Sequence, residues 1–243
     1  MLEIRHLSKT YKGASKKAID DINITIEDGD IYGFIGPNGA GKSTTIKCIV
    51  GINDYKDGEI LFNHKNILDN NLEFKKQIAY IPDNPDLYEQ LSGIEYLDFV
   101  ANIYQVGDAK NELIHKYATL FGIEQDLANP IRSYSHGMKQ KLALISALIH
   151  SPKLIILDEP FVGLDPKASH DLKNLMLTLC QEEGVSIFFS SHVLEVVEKF
   201  CNKVAIIKDG KIIASGLTEE VKGDESLEDK FLELFIDEDK KDE

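Results

Sequence analysis

The segment Gly36-Pro37-Asn38-Gly39-Ala40-Gly41-Lys42-Ser43-Thr44 constrains this chain more than any other. It fits the pattern G-x-x-x-x-G-K-[ST], whose glycines let a main chain curl where side chains would clash. The apolar run at 31–35 reads as a strand, and Thr45-Ile46-Lys47-Cys48-Ile49-Val50 reads as the start of a helix. A strand, a curled loop and a helix in that order point successive backbone N–H groups inward at the positive end of a helix dipole, which makes a nest for phosphate. Lys42 can place its ammonium on the β- and γ-phosphates of ATP, and the Ser43 hydroxyl can ligate Mg²⁺. The residues from Gly36 to Thr44 are the expected nucleotide contacts. A glycine-rich turn with a chance lysine is the bland alternative, and the strand and helix on either side count against it.

A second element completes that chemistry. Leu154-Ile155-Ile156-Leu157 is an unbroken apolar run, which suits a strand buried on both faces, and it ends in Asp158-Glu159. Adjacent residues at a strand end point in different directions, so the two carboxylates can do two jobs. Asp158 is expected to hold Mg²⁺, directly or through water, and Glu159 to polarise the attacking water as the catalytic base. Alone, an Asp-Glu pair reads better as a solvated loop; beside the phosphate loop the chemical reading is stronger.

Elsewhere the periodicity alternates. Strands are expected at 2–7, 22–26, 60–62, 78–81, 186–190, 204–208 and 211–214, the last two joined by the hairpin dipeptide Asp209-Gly210. Helices are expected after Gly41 and at 93–106, 111–121, 137–150, 166–181 and 193–200. A further helix is expected at 227–235, whose apolar positions suit docking on the core. Residues 84–151 lack convincing strands. The fold class expected is α/β: a P-loop core with a parallel sheet, an N-terminal antiparallel β subdomain and an inserted helical subdomain. The divisions are 1–83, 84–151, 152–208 and 209–243 within a single domain.

Composition excludes other classes. A net charge of -14 weighs against nucleic acid as the main partner, and the acidic tail at 237–243 reads as a solvated end. Cys48, Cys180 and Cys201 are widely spaced and odd in number, so buried thiols in a reducing cytoplasm are expected rather than a disulfide framework or zinc site. No run reaches the roughly 18 apolar residues that span a bilayer, and no signal-peptide pattern opens the sequence.

Ser133-Tyr134-Ser135-His136-Gly137-Met138-Lys139-Gln140-Lys141 resembles the LSGGQ signature of ATP-binding-cassette (ABC) ATPases. Tyr134 replaces the usual Leu, His136 the first Gly and Met138 the Gln. Other segments agree with that family in order: Tyr11, Gly163-Leu164-Asp165-Pro166, His192 after Ser190-Ser191, and Asp209-Gly210-Lys211-Ile212. The resemblance covers nearly the whole chain. It implies that Tyr11 stacks on adenine and that His192 bonds the γ-phosphate. It also implies that Ser135 and Gly137 meet the γ-phosphate held by an opposite subunit in a head-to-tail dimer. Independently, Ser135 suits an N-cap for the helix that follows.

The family usually carries a metal-ligating Gln where Asp83 stands here, and an Asp could reach the cation through water or fall short of it. His136 raises a related question, because glycine tolerates positive φ and histidine mostly does not. The resemblance implies the energy-coupling subunit of a membrane transporter. Such a subunit is cytoplasmic and peripheral, held at the inner face of the membrane by separate permease subunits that contact the helical block near 83–106. The stretch from Tyr80 to Tyr88 looks most like ABC-2-type exporters. Rival readings are a P-loop kinase or GTPase, disfavoured by the signature and His192, and a soluble ABC ATPase of repair or translation.

Overall fold

The computed structural model describes residues 1–69 and 71–239. The acidic tail at 237–243 lies outside the described side chains. In chain order the strands are β1 (Leu2–Lys9), β2 (Ile19–Ile26), β3 (Ile31–Ile35), β4 (Asp57–Phe62), β5 (Lys65–Asn66), β6 (Ile78–Ile81), β7 (Leu154–Asp158), β8 (Ser186–Ser191), β9 (Lys203–Lys208) and β10 (Lys211–Leu217). The helices are α1 (Lys42–Ile49), α2 (Asn71–Gln77), α3 (Gly93–Ile103), α4 (Lys110–Phe121), α5 (His136–Leu148), α6 (Pro166–Glu183), α7 (Leu194–Phe200), α8 (Thr218–Lys222) and α9 (Leu227–Asp239).

Two sheets result. An antiparallel sheet runs β2-β1-β4-β5, and a larger one runs β10-β9-β3-β8-β7-β6. In the larger sheet every pairing from β9 to β6 is parallel, and only β10 at the edge is antiparallel. The hairpin to β10 turns at Asp209 and Gly210, both at positive φ (48° and 83°), as an Asp-Gly turn between twisted strands requires.

Burial follows from sequence. Strands β3, β7 and β8 are buried at every position, as expected of parallel strands covered on both faces. Strand β2 alternates instead, so one of its faces meets water. Successive β7 residues serve different cores. Ile155 and Leu157 pack with α3–α6, whereas Leu154 and Ile156 pack with α1 and the antiparallel sheet. On β3, a Cβ at Gly33 would lie 2.5 Å from Val197 Cγ1, so glycine is what lets α7 seat against that strand.

Helices α3, α4 and α5 lie between β6 and β7 in sequence, and the one bridge in that stretch among the described residues joins Ser92 to Pro130. Ser92 and Glu95 cap α3 reciprocally. Helix α9 docks through Leu227, Phe231, Leu234 and Phe235, the positions its spacing singles out. The three cysteines are buried and free, and burial pushes the Cys48 thiol up to about 11. No helix among the described residues is long and apolar enough to cross a membrane.

Candidate functional site

Register in the large sheet decides where the chemistry gathers. Asp158 stands opposite Ser190, and Ile35 stands opposite Ser191. The carboxyl ends of β3, β7 and β8 are therefore level, and ligands of open parallel sheets bind at such ends.

The loop leaving β3 needs its glycines. A Cβ at Gly36 would lie 2.3 Å from the Ile207 carbonyl oxygen, and one at Gly41 would lie 2.8 Å from that of Ala18. Gly39 and Gly41 hold φ of 82° and 114°, which L side chains rarely adopt. Gly41 caps α1 without a side-chain hydrogen bond, and α1 has no acidic residue in its first turn. The amino end of α1 thus carries its helix-dipole charge without a competing carboxylate.

Lys42 is only 7% exposed. Its Nζ donates to the carbonyls of Gly36 (2.6 Å) and Pro37 (3.2 Å) and stands 3.8 Å from Glu159 Oε1. The ammonium is thus held in place by its own loop's carbonyls beside a carboxylate, where phosphate oxygens could take their place as acceptors.

Asp158 is 5% exposed. Ser190 Oγ donates to Asp158 Oδ1 (2.6 Å) and accepts the Glu159 N–H (3.0 Å). Directly after the strand, Glu159 takes a left-handed φ of 51°, a conformation that costs about 1–2 kcal/mol in a non-glycine residue. That turn sends its carboxylate toward Lys42 on one side and His192 Nδ1 on the other, the latter at 2.9 Å. Burial, and then the Asp158 charge, push the Tyr80 phenol up to about 12.

A cavity of about 240 Å³ joins these parts; it is lined by Pro37, Asn38, Gly39, Gly41, Lys42, Ser43, Thr44, Ala18, Asp83, Asp158 and Glu159. Asp83 is thus brought to the loop although it lies past the end of β6. Tyr11 stands just outside, its hydroxyl 3.2 Å from Thr44 Oγ1 and 3.0 Å from Asn53 Nδ2. His192 reaches the cavity through Glu159. Ser135 and Gly137 do not line it. Ser135 caps α5, accepting the Met138 N–H at 3.3 Å.

The question over His136 resolves on backbone angle. It is the first residue of α5 and is absent from the positive-φ positions among the described residues, so glycine is not required there. Its ring instead lies against Gly163, where a Cβ would meet it at 2.5 Å. Lys141 pairs with Asp165 at 3.4 Å, which further ties the start of α5 to the start of α6.

Two residues of the site were not singled out from sequence. Ser190, which holds Asp158 and Glu159 from behind the cavity, was legible only as a polar residue in a buried strand, where it must find a partner. Ala18, which lines the cavity, gives no signal of its own.

The donors suit Mg²⁺. Ser43, Asp158 and Asp83 present hard oxygens to one cavity, while no group of three His, Cys, Asp or Glu among the described residues could cage a metal. A cation that keeps waters and shares phosphate oxygens fits such a set.

Fold and site together define a P-loop nucleotide-binding protein. The model of the ABC transporter family matches residues 19–162, more than half of the chain. A bacitracin transport ATP-binding protein of Bacillus licheniformis is 36% identical over 88% of this chain and 68% of its own length. A lantibiotic transport ATP-binding protein of Streptococcus pyogenes is 35% identical over 95% and 96%. A solved ATP-binding subunit of an ABC transporter superposes with a TM-score of 0.91 at 33% identity, covering 97% of this chain and 99% of that one. The chain belongs to the ABC transporter family, as an ATP-binding subunit.

Proposed function

We propose that this chain hydrolyses ATP at the cavity between the 36–44 loop and the Asp158-Glu159 pair, and that hydrolysis powers an exporter. The observation that carries the reading is the meeting of Lys42, Ser43, Asp158 and Glu159 around one cavity.

Each residue takes a role its surroundings allow. Backbone N–H groups of residues 36–44 and the Lys42 ammonium hold the phosphates. Ser43 and Asp158 would hold Mg²⁺, with Asp83 as an outer oxygen donor, and the cation would neutralise charge on the phosphate oxygens. Glu159 accepts the proton of the attacking water. His192 fixes the Glu159 carboxylate from the far side and offers its other ring nitrogen to the γ-phosphate. Tyr11, pinned at Thr44, stacks on the adenine.

Ser135 and Gly137 lie outside the cavity. A second copy, head to tail, would bring its own pair to the γ-phosphate, so the complete site belongs to a dimer. The helical block at 84–151, between core segments 1–83 and 152–208 and the end segment 209–243, would pass movement to separate permease subunits. The chain would then sit peripherally at the cytoplasmic face of the membrane. Relatives named for bacitracin and lantibiotic transport favour a transport role over the soluble reading in repair or translation.

Glu159→Gln tests the assignment. Hydrolysis should fall by about 10²–10⁴-fold, the usual worth of a positioned base, while ATP binding persists and an ATP-dependent dimer appears on size-exclusion chromatography. Loss of nucleotide binding in this variant would show that Glu159 is not the base.

A further inference from the structure

We infer that Asp83 makes a divalent cation a precondition for nucleotide entry, by adding an uncompensated negative charge to the wall of the cavity. The inference rests on the nucleotide reading of that cavity.

Charge is the issue. Among the lining residues one ammonium, Lys42, faces three carboxylates: Asp83, Asp158 and Glu159. Two of these are engaged. Asp158 accepts from Ser190, and Glu159 lies between Lys42 and His192. Asp83 is different. It is exposed, stands two residues beyond β6, and no hydrogen bond or ion pair involves it among the described residues.

A triphosphate brings several negative charges into this wall. Without a cation it meets the repulsion of these carboxylates against the pull of Lys42 and the loop's N–H groups. With one, the repulsion turns to attraction, since a dication outweighs any single carboxylate. Asp83 is the least neutralised of the three, so its charge bears most directly on the metal-free ligand. A neutral side chain of the same shape would leave the phosphate loop and the base intact and remove that repulsion. Because Asp83 is exposed, the effect must also weaken with salt.

The test is equilibrium binding of a fluorescent ATP analogue to the full chain, in Mg²⁺ and in EDTA, for the parent, Asp83→Asn and Asp83→Glu. The dissociation constant in EDTA should fall about three- to tenfold in Asp83→Asn, as expected for one partly screened charge, whatever the variant does to the Mg²⁺ value. It should stay near the parental value in Asp83→Glu, and the difference should shrink at 1 M salt. An Asp83→Asn dissociation constant in EDTA within twofold of the parent's, in a parent that binds the analogue with Mg²⁺, would overturn the inference alone. A parent that binds no analogue even with Mg²⁺ would overturn the nucleotide reading as well.

Discussion

Ser190 Oγ lies 2.6 Å from Asp158 Oδ1, and the same hydroxyl accepts the backbone N–H of Glu159 at 3.0 Å. One side chain from β8 thus fixes both carboxylate residues at the end of β7. Ser190 is fully buried, and without its hydroxyl the Glu159 N–H loses its hydrogen-bond partner. Ser190→Ala should cost about 1–3 kcal/mol, the penalty of stranding a buried polar group. Urea denaturation reads that loss, and ATP turnover should fall with it because Glu159 loses its anchor. Unchanged turnover would show that Glu159 is positioned by other means.

The replacement of leucine by Tyr134 leaves a mark on a distant residue. Tyr134 Oη donates to the Asp126 carbonyl at 2.7 Å, and a Cβ at Gly93 would lie 2.3 Å from Tyr134 Oη. Gly93→Ala should therefore destabilise by overpacking, about 1–3 kcal/mol, or roughly 2–12 °C in Tm. Tyr134→Leu in the same chain should recover part of the loss. A double variant as unstable as the sum of the singles would refute the contact as the cause.

Acid should weaken the fold partly through His150. Burial holds its imidazole below the ordinary 6.5, against a smaller opposing effect from the Ile78 carbonyl 2.9 Å from Nε2. Its Nδ1 has no hydrogen-bond partner among the described residues, and the ring stacks on Tyr104 at 3.9 Å. With the folded pKa lowered, the unfolded chain binds the proton more readily. The neutral ring's contribution is therefore full above about pH 6.5 and is lost as pH falls from there through the folded value. Thermal midpoints at pH 7.5 and 5.5 should differ less in His150→Gln than in the parent. An equal drop in both would remove His150 from the acid response.

Much of this arrangement was legible in residues. The apolar run at 31–35 matches β3 at both ends, and 78–81 matches β6, because a strand buried on both faces ends where its apolar run ends. Helix α2 was missed because it buries Phe74 alone and so shows no amphipathic period. Strand β5 has two residues, too few for any pattern. At the site, the glycine loop and the Asp-Glu pair announce themselves by spacing. The value of Ser190 depends on a register across 32 positions that no local window contains. His136 stood out for lacking glycine's freedom, yet its backbone lies in a helix that asks for none.

The central claim is that the curled 36–44 loop and the end of β7 grip one triphosphate between them. A crystal structure grown with a nonhydrolysable ATP analogue and Mn²⁺ in place of Mg²⁺ tests it most directly, because anomalous scattering marks the cation. The account predicts phosphates along the loop at Lys42 and a single cation between Ser43 and Asp158. Phosphates bound away from Lys42 and Asp158, or a cation on neither residue, would contradict it.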